Sequence, residues 1–274
     1  MTVLKQTNLY MMNGVTKTFV KKLSPGEVYR IYNFLPGKLG LGAGYFIDRD
    51  SRIKYQTPSK EKLQALGVTV LKIKYQGVLD YPQVTNLLSK AAQDKINVTL
   101  KKHINDSYTA LLRLEAQEKE DRQKYLDEHG YPVPKDEDYM YSYEYDVTYQ
   151  VKYNENNQLS LLVYDYIYTG GAHGMEIVTS YNFNVLTGQQ LKLGDIAQST
   201  TGFNKIKKYA IADLMNRAKR GEGIFTGDLN KMEINNNRPF YFTSNGIAII
   251  FQEYEVAPYA AGMPEVKIPY KVFK

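Results

Sequence analysis

The chain has 274 residues, 43% of them hydrophobic, enough for one large domain or two to three smaller ones with real cores. It contains no cysteine, which excludes disulfides, thiol nucleophiles and cysteine-ligated zinc together. A formal net charge of +6 suits an anionic partner, but the basic residues are dispersed and no aromatic RNP-type motif occurs, which argues against nucleic acid.

Residues 1–66 read as short β strands. Thr2 to Met12 is extended, Asn13-Gly14 is a hairpin turn, Val15 to Val20 returns, Ser24-Pro25-Gly26 turns again, and Glu27 to Phe34 alternates. Gly40-Leu41-Gly42-Ala43-Gly44 runs into the strand-like Tyr45-Phe46-Ile47. A phosphate-cradling loop would open into a helix, so these glycines read as a tight turn or bulge. Thr57-Pro58-Ser59 starts a short helical turn that ends at Leu66-Gly67. Together these segments predict a small SH3-like β-barrel.

Val68 to Tyr75 is a strand into a second unit. Asp80 with Pro82 reads as a helix start, and Val84, Leu87, Leu88, Ala91, Ile96, Leu100 and Ile104 make one apolar stripe. The stripe continues toward Tyr125, with a break expected near Asn105-Asp106-Ser107. Glu115 to Lys124 reads as a solvated face, and Gly130, Pro132 and Pro134 end the helix. Tyr139 to Tyr153 alternates, which places Tyr141, Tyr143, Tyr145, Val147, Tyr149, Val151 and Tyr153 on one side. Leu159 to Tyr168 and Ile177 to Val185 complete an antiparallel meander. A second helix carries Phe203, Ile206, Ala210 and Leu214 and ends at Gly221. Ile247 to Phe251 and Glu265 to Tyr270 are the last strands.

The fold class is therefore α+β: an N-terminal SH3-like β-barrel over 1–66, then antiparallel sheet packed on two helical elements. Residues 67–190 form a domain with the long helix and the meander, and 191–274 a C-terminal α+β domain packed on it. No segment reads as a membrane span.

Two groups of residues are candidates for function. The first is the loop Tyr168-Thr169-Gly170-Gly171-Ala172-His173-Gly174, where glycines and a lone histidine interrupt strand sequence. A hydrolytic histidine needs a nucleophile and an orienting carboxylate. Asp165 and Glu176 are near in sequence, but there is no Gly-x-Ser-x-Gly elbow. His103 and His129 do not supply metal-ligand spacing, so no metal and no cofactor is expected. His173 reads best as a residue that pins its turn, with ligand contact as the functional alternative. The second group is Glu253, Tyr254, Glu255, Tyr259 and Glu265, an acidic and aromatic cluster in a basic chain. Glu253 and Glu255 would share one face of a strand, and a glycosidase pair needs about 5 to 9.5 Å across a cleft.

Tyr168 to Gly174, Leu191-Lys192-Leu193-Gly194-Asp195-Ile196, and Phe251 to Gly262 closed by Val266 to Tyr270 stand in an order with a known counterpart. From about Val68 onward the chain resembles the extracellular domains of the lysozyme-sensing anti-sigma factors of Bacillus. The same paired domains precede the catalytic domain of a Bacillus peptidoglycan deacetylase. The resemblance implies a non-catalytic, exported module of a Gram-positive bacterium, extracellular or on the cell surface, its leader already removed. The expected partner is peptidoglycan or an anionic wall polymer. A receptor or inhibitor domain for lysozyme or another muramidase is the alternative, and a wall-glycan hydrolase the third. The expected binding residues are Tyr168, Gly170, Gly171, His173, Glu253, Tyr254, Glu255 and Tyr259, with no catalytic residue.

Overall fold

The computed structural model describes residues 1–13, 16–35, 37–57 and 59–273, without the side chains of Asn13, Phe34 and Leu35. The expected turn at Asn13-Gly14, and Pro36 and Pro58 of the expected loop and helix start, lie in whole or part outside the described residues. The chain divides into two units, 1–59 and 60–274, and the class is α+β.

In the first unit, β1 (Thr2–Val3) pairs with β7 (Ile53–Lys54). The strands β2 (Thr7–Asn13), β3 (Thr16–Leu23), β4 (Asn33–Leu35), β5 (Lys38–Gly42) and β6 (Tyr45–Asp48) form an antiparallel sheet in the order β3-β2-β6-β5-β4. Its core is Val3, Leu9, Leu23, Leu39, Ile47 and Ile53. Among the described residues these strands do not close into the expected barrel. Strand β3 stays an edge, exposed from Thr16 to Lys22 and protected by Lys17, Lys21 and Lys22. Residues 27–32 are not the expected strand either. They make an isolated bridge at Val28 and single backbone bonds at Tyr29 and Tyr32. The glycine-rich segment is a bulged turn, with the β5–β6 register shifting between Gly40 and Gly42.

The second unit opens with α1 (Lys60–Ala65), whose Gln64 bonds the backbone of Leu88 (2.8 Å). The short helix expected to close the first module thus packs within the second unit. β8 (Thr69–Tyr75) and β9 (Leu79–Thr85) form a hairpin about Gln76-Gly77, both with positive φ. Pro82 therefore lies in a strand and does not start a helix. Its missing N–H is tolerated because β9 lies in a two-stranded ladder. Helix α2 (Lys90–His129) begins instead at Ser89, whose side chain accepts from Ala92 N–H, and ends at Gly130 with φ 77°. Its 40 residues span about 60 Å. No break occurs at Asn105-Asp106-Ser107, because Ser107 continues the buried stripe of Ala92, Ile96, Leu100 and Ile104.

The meander β10 (Glu144–Glu155), β11 (Gln158–Tyr168), β12 (Met175–Asn184) and β13 (Gln189–Leu191) is antiparallel in chain order. A bulge between Val151 and Tyr153 breaks the expected one-sided alternation. Val151 pairs with Leu161, but Tyr153 pairs with Ser160 and so turns to the opposite face. Both faces are covered. Leu159, Leu161 and Val163 pack with the α2 stripe, and Leu162 with Tyr241, Ala248 and Ile250. Two-sided burial explains why Leu159 to Val163 reads as nearly continuous apolar sequence.

After α3 (Leu193–Ala197) and α4 (Thr200–Lys219), the sheet β14 (Phe240–Thr243), β15 (Gly246–Ile250) and β16 (Glu265–Pro269) completes the unit. Ile206, Ala210 and Leu214 of α4 pack on Phe240, Phe242, Ile249 and Ile268. Strand β14 meets the meander through polar groups. Phe240 N–H donates to Ser180 Oγ (3.1 Å) and Phe242 N–H to Ser160 Oγ (3.0 Å), while Asn182 Nδ2 donates to Phe240 O (2.8 Å). These side chains satisfy a buried strand edge. The amides of Asn97, Asn154 and Gln252 do the same at Val84, Val68 and Val178, each both donating to and accepting from one residue's backbone.

Candidate functional site

The loop after β11 is shaped by contacts that leave no room for a side chain. A Cβ on Gly170, whose φ is 86°, would come within 2.3 Å of Met140 O, and one on Gly174 within 2.5 Å of the Tyr166 ring. Tyr168 holds the loop's base, its hydroxyl shared between Tyr139 O (3.1 Å) and Gly171 O (3.0 Å). The loop thereby presents His173 on the surface.

His173 Nδ1 lies 2.8 Å from Gly174 O. A carbonyl only accepts, so Nδ1 donates to it, and Nε2 meets the Tyr254 hydroxyl at 3.1 Å. The imidazole stacks on Tyr259, with centroids 3.8 Å apart and planes at 14°. Tyr254 lies 6.3 Å from His173 and 6.0 Å from Tyr259, at 28° and 29°. Three nearly parallel rings, from segments about eighty residues apart, thus share one surface. Tyr254 adopts a φ of 62°, a region that costs a tyrosine about 1–2 kcal/mol, so the surrounding contacts hold it there.

The tail that carries Tyr254 runs along the open side of β12. Gln252 brackets the Val178 backbone, and Glu253 Oε2 accepts the Glu176 N–H at 3.0 Å. Burial, and then the Glu253 carboxylate, raise the Glu176 pKa above its ordinary value. Glu253 and Glu255 do not share a strand face. Their segment is a tight turn, and Glu255 points to Arg238, accepting from it at 2.6 and 2.8 Å. Of the predicted residues, His173, Tyr254, Tyr259 and Glu253 come together, Tyr168, Gly170 and Gly171 support the loop, and Glu255 is a turn anchor.

Asp165 does not orient His173. It is buried against α2, with Oδ2 3.0 Å from His103 Nε2, and accepts from Ser107 (2.6 Å) and Tyr145 (2.8 Å) on Oδ1. The His103 contact is a close approach and not a well-directed hydrogen bond. Tyr181 OH meets His103 Nδ1 at 2.9 Å. Burial alone would raise the Asp165 carboxyl, but His103, Ser107 and Tyr145 outweigh it and hold the pKa below the usual value. Burial, and then Asp165, push Tyr181 up to about 12. Ser107 donates to the carboxylate and not to the imidazole, so this Ser–His–Asp set has no activated nucleophile. The sequence signal for it was an aspartate inside an apolar strand and a histidine beside the α2 stripe.

The ring platform offers faces for stacking, a phenol and a carboxylate edge. Among the described residues no three histidine, aspartate or glutamate side chains gather as a metal site, and no helix is long and apolar enough to cross a membrane.

Comparison with known proteins divides the second unit. Residues 71–176 match the family model described as "Deacetylase PdaC", and residues 195–271 match "Protein of unknown function (DUF3298)". The ring platform thus takes His173 from the region similar to the first model and Tyr254 and Tyr259 from the region similar to the second. Among solved structures, a member of the DUF3298 family from Bacteroides fragilis is 20% identical, covers 76% of this chain and 92% of its own, and has a TM-score of 0.49. A DUF3298 family protein from Pseudomonas aeruginosa is 15% identical over 76% and 92%, with a TM-score of 0.47. No curated protein matches.

Proposed function

We propose that the chain is a non-catalytic module that acts outside the cell and binds cell-wall glycan with the His173–Tyr254–Tyr259 platform. The observation that carries this reading is the stack itself: His173 and Tyr254 exposed beside the half-buried Tyr259, with the edge of the imidazole fixed by Gly174 and Tyr254. Such rings suit the apolar faces of sugars, and the neighbouring carboxylates suit their hydroxyls. The PdaC match and the resemblance to the envelope proteins named above support the setting. The platform's acids have backbone tasks, Glu253 at Glu176 and Glu255 at Gln252, which favours recognition over proton transfer.

The test is sedimentation with purified peptidoglycan across a salt series. Wild type should co-sediment, and Tyr259→Ala should weaken binding about tenfold, the worth of a lost stacking partner. No co-sedimentation at low salt would defeat the proposal. A second reading, a receptor for a cationic muramidase such as lysozyme, is favoured by Glu176 and Glu253 standing beside aromatic anchors in a basic chain. Absence of heat on titration with several muramidases would dismiss it.

A further inference from the structure

A second group of rings stands at the far end of α2. Tyr125 and His129 stack at 4.1 Å and 14°, and Tyr131 and Tyr141 meet Tyr125 edge-on at 6.0 and 5.5 Å. Tyr131 and Tyr139 are 52% and 57% exposed, so these rings serve the core only in part.

The chain beyond the group is tied back to the helix. After Gly130 the chain folds back along the helix, where Arg122 pairs with Asp138 (2.7 Å) and Glu118 (2.9 Å). Tyr143 donates its hydroxyl to Asp121 at 2.8 Å and its N–H to Glu118 at 3.2 Å. The returning chain, at Tyr139 and Met140, also touches the base of the first platform. Tyr168, at the base of the His173 loop, reaches Tyr139 O, and Gly170 lies against Met140.

Resting on the glycan reading above, we propose that the Tyr125–His129–Tyr131 group is a second subsite, and that the ligand is a linear polysaccharide spanning both platforms. The occupant follows from the surface: two separate ring groups with phenol and imidazole edges, the chain beyond the second touching the base of the first at Tyr139. A polymer of sugars presents apolar faces and hydroxyls repeatedly along its length, whereas a single sugar would use only one platform.

The experiment is calorimetry of the whole chain with soluble glycan oligomers of increasing length released from purified peptidoglycan. Affinity should rise about tenfold or more once an oligomer reaches both platforms. Tyr131→Ala, a change at an exposed position, should abolish that gain and leave the affinity of short oligomers unchanged. Tyr259→Ala should weaken short and long oligomers alike. If short and long oligomers bind wild type equally, or the length gain persists in Tyr131→Ala, the second subsite is wrong and the glycan reading stands. If no oligomer binds, the glycan reading fails and the subsite with it.

Discussion

Two histidines of this chain each meet a tyrosine hydroxyl at one ring nitrogen, and their surroundings give them opposite roles. His103 is enclosed between α2 and the meander, with Asp165, Tyr145, Ser107 and Tyr181 around it. His173 has a hydrogen-bond partner at each ring nitrogen, but its stack stands on the surface. The first network is closed on itself and serves the fold. The second fixes a ring whose neighbours remain open to a ligand. A satisfied histidine is thus no sign of either role until its exposure is known.

The largest expected effect tests the closed network. Asp165→Ala leaves Ser107 and Tyr145 without their shared acceptor and takes away the carboxylate beside His103, and should cost about 3–4 kcal/mol of unfolding free energy, read by chemical denaturation. It also has a pH signature. A carboxyl held below its ordinary 3.8 contributes stability that is complete above that value and lost as pH falls through the folded pKa. The wild-type chain should therefore lose stability more steeply than the variant below about pH 4. Equal acid limbs for the two proteins would mean that the network contributes nothing.

Next comes the polar seam under β14. Ser160→Ala removes the donor to Asn182 Oδ1 (2.6 Å) and the acceptor of Phe242 N–H (3.0 Å), both buried. The cost should be about 2 kcal/mol, because two partners are left unsatisfied. A thermal midpoint unchanged from wild type would show that water replaces the hydroxyl.

How much of this was legible before the structure depends on the range of the interaction. The α2 stripe of Ile96, Leu100 and Ile104 and the terminating Gly130 were readable, since helix period and caps are local. Pro82 misled because a proline near an aspartate fits a helix start and also an edge strand, and only the β8 partner decides between them. The Val151–Tyr153 bulge was hidden because alternation assumes an unbroken register. At the site, the glycines around His173 marked a shaped loop correctly, while the stack with Tyr259 depends on a tail about eighty residues away. Glu255 was misplaced because the reading assumed a strand where the chain turns at Tyr254.

The exposed site invites a smaller and more discriminating change, Glu253→Gln. The glutamine keeps an acceptor for the Glu176 N–H and removes only the charge. Burial and the Glu253 charge raise the Glu176 pKa, so the folded state holds that proton more firmly than the unfolded one. Its contribution to stability is then complete below the ordinary 4.5 and is lost as pH rises through the folded value. Removing the charge should shift the Glu176 titration, followed by carboxyl NMR, back toward 4.5. It should change stability at neutral pH by only a few tenths of a kcal/mol, because the site is partly solvated. An unmoved midpoint would show that Glu176 does not sense Glu253. The same variant separates the two partners. A neutral glycan face gains most from the rings, so wall binding should change less than threefold. A cationic protein is drawn by the carboxylate, so loss of that charge should slow its association and steepen no salt dependence.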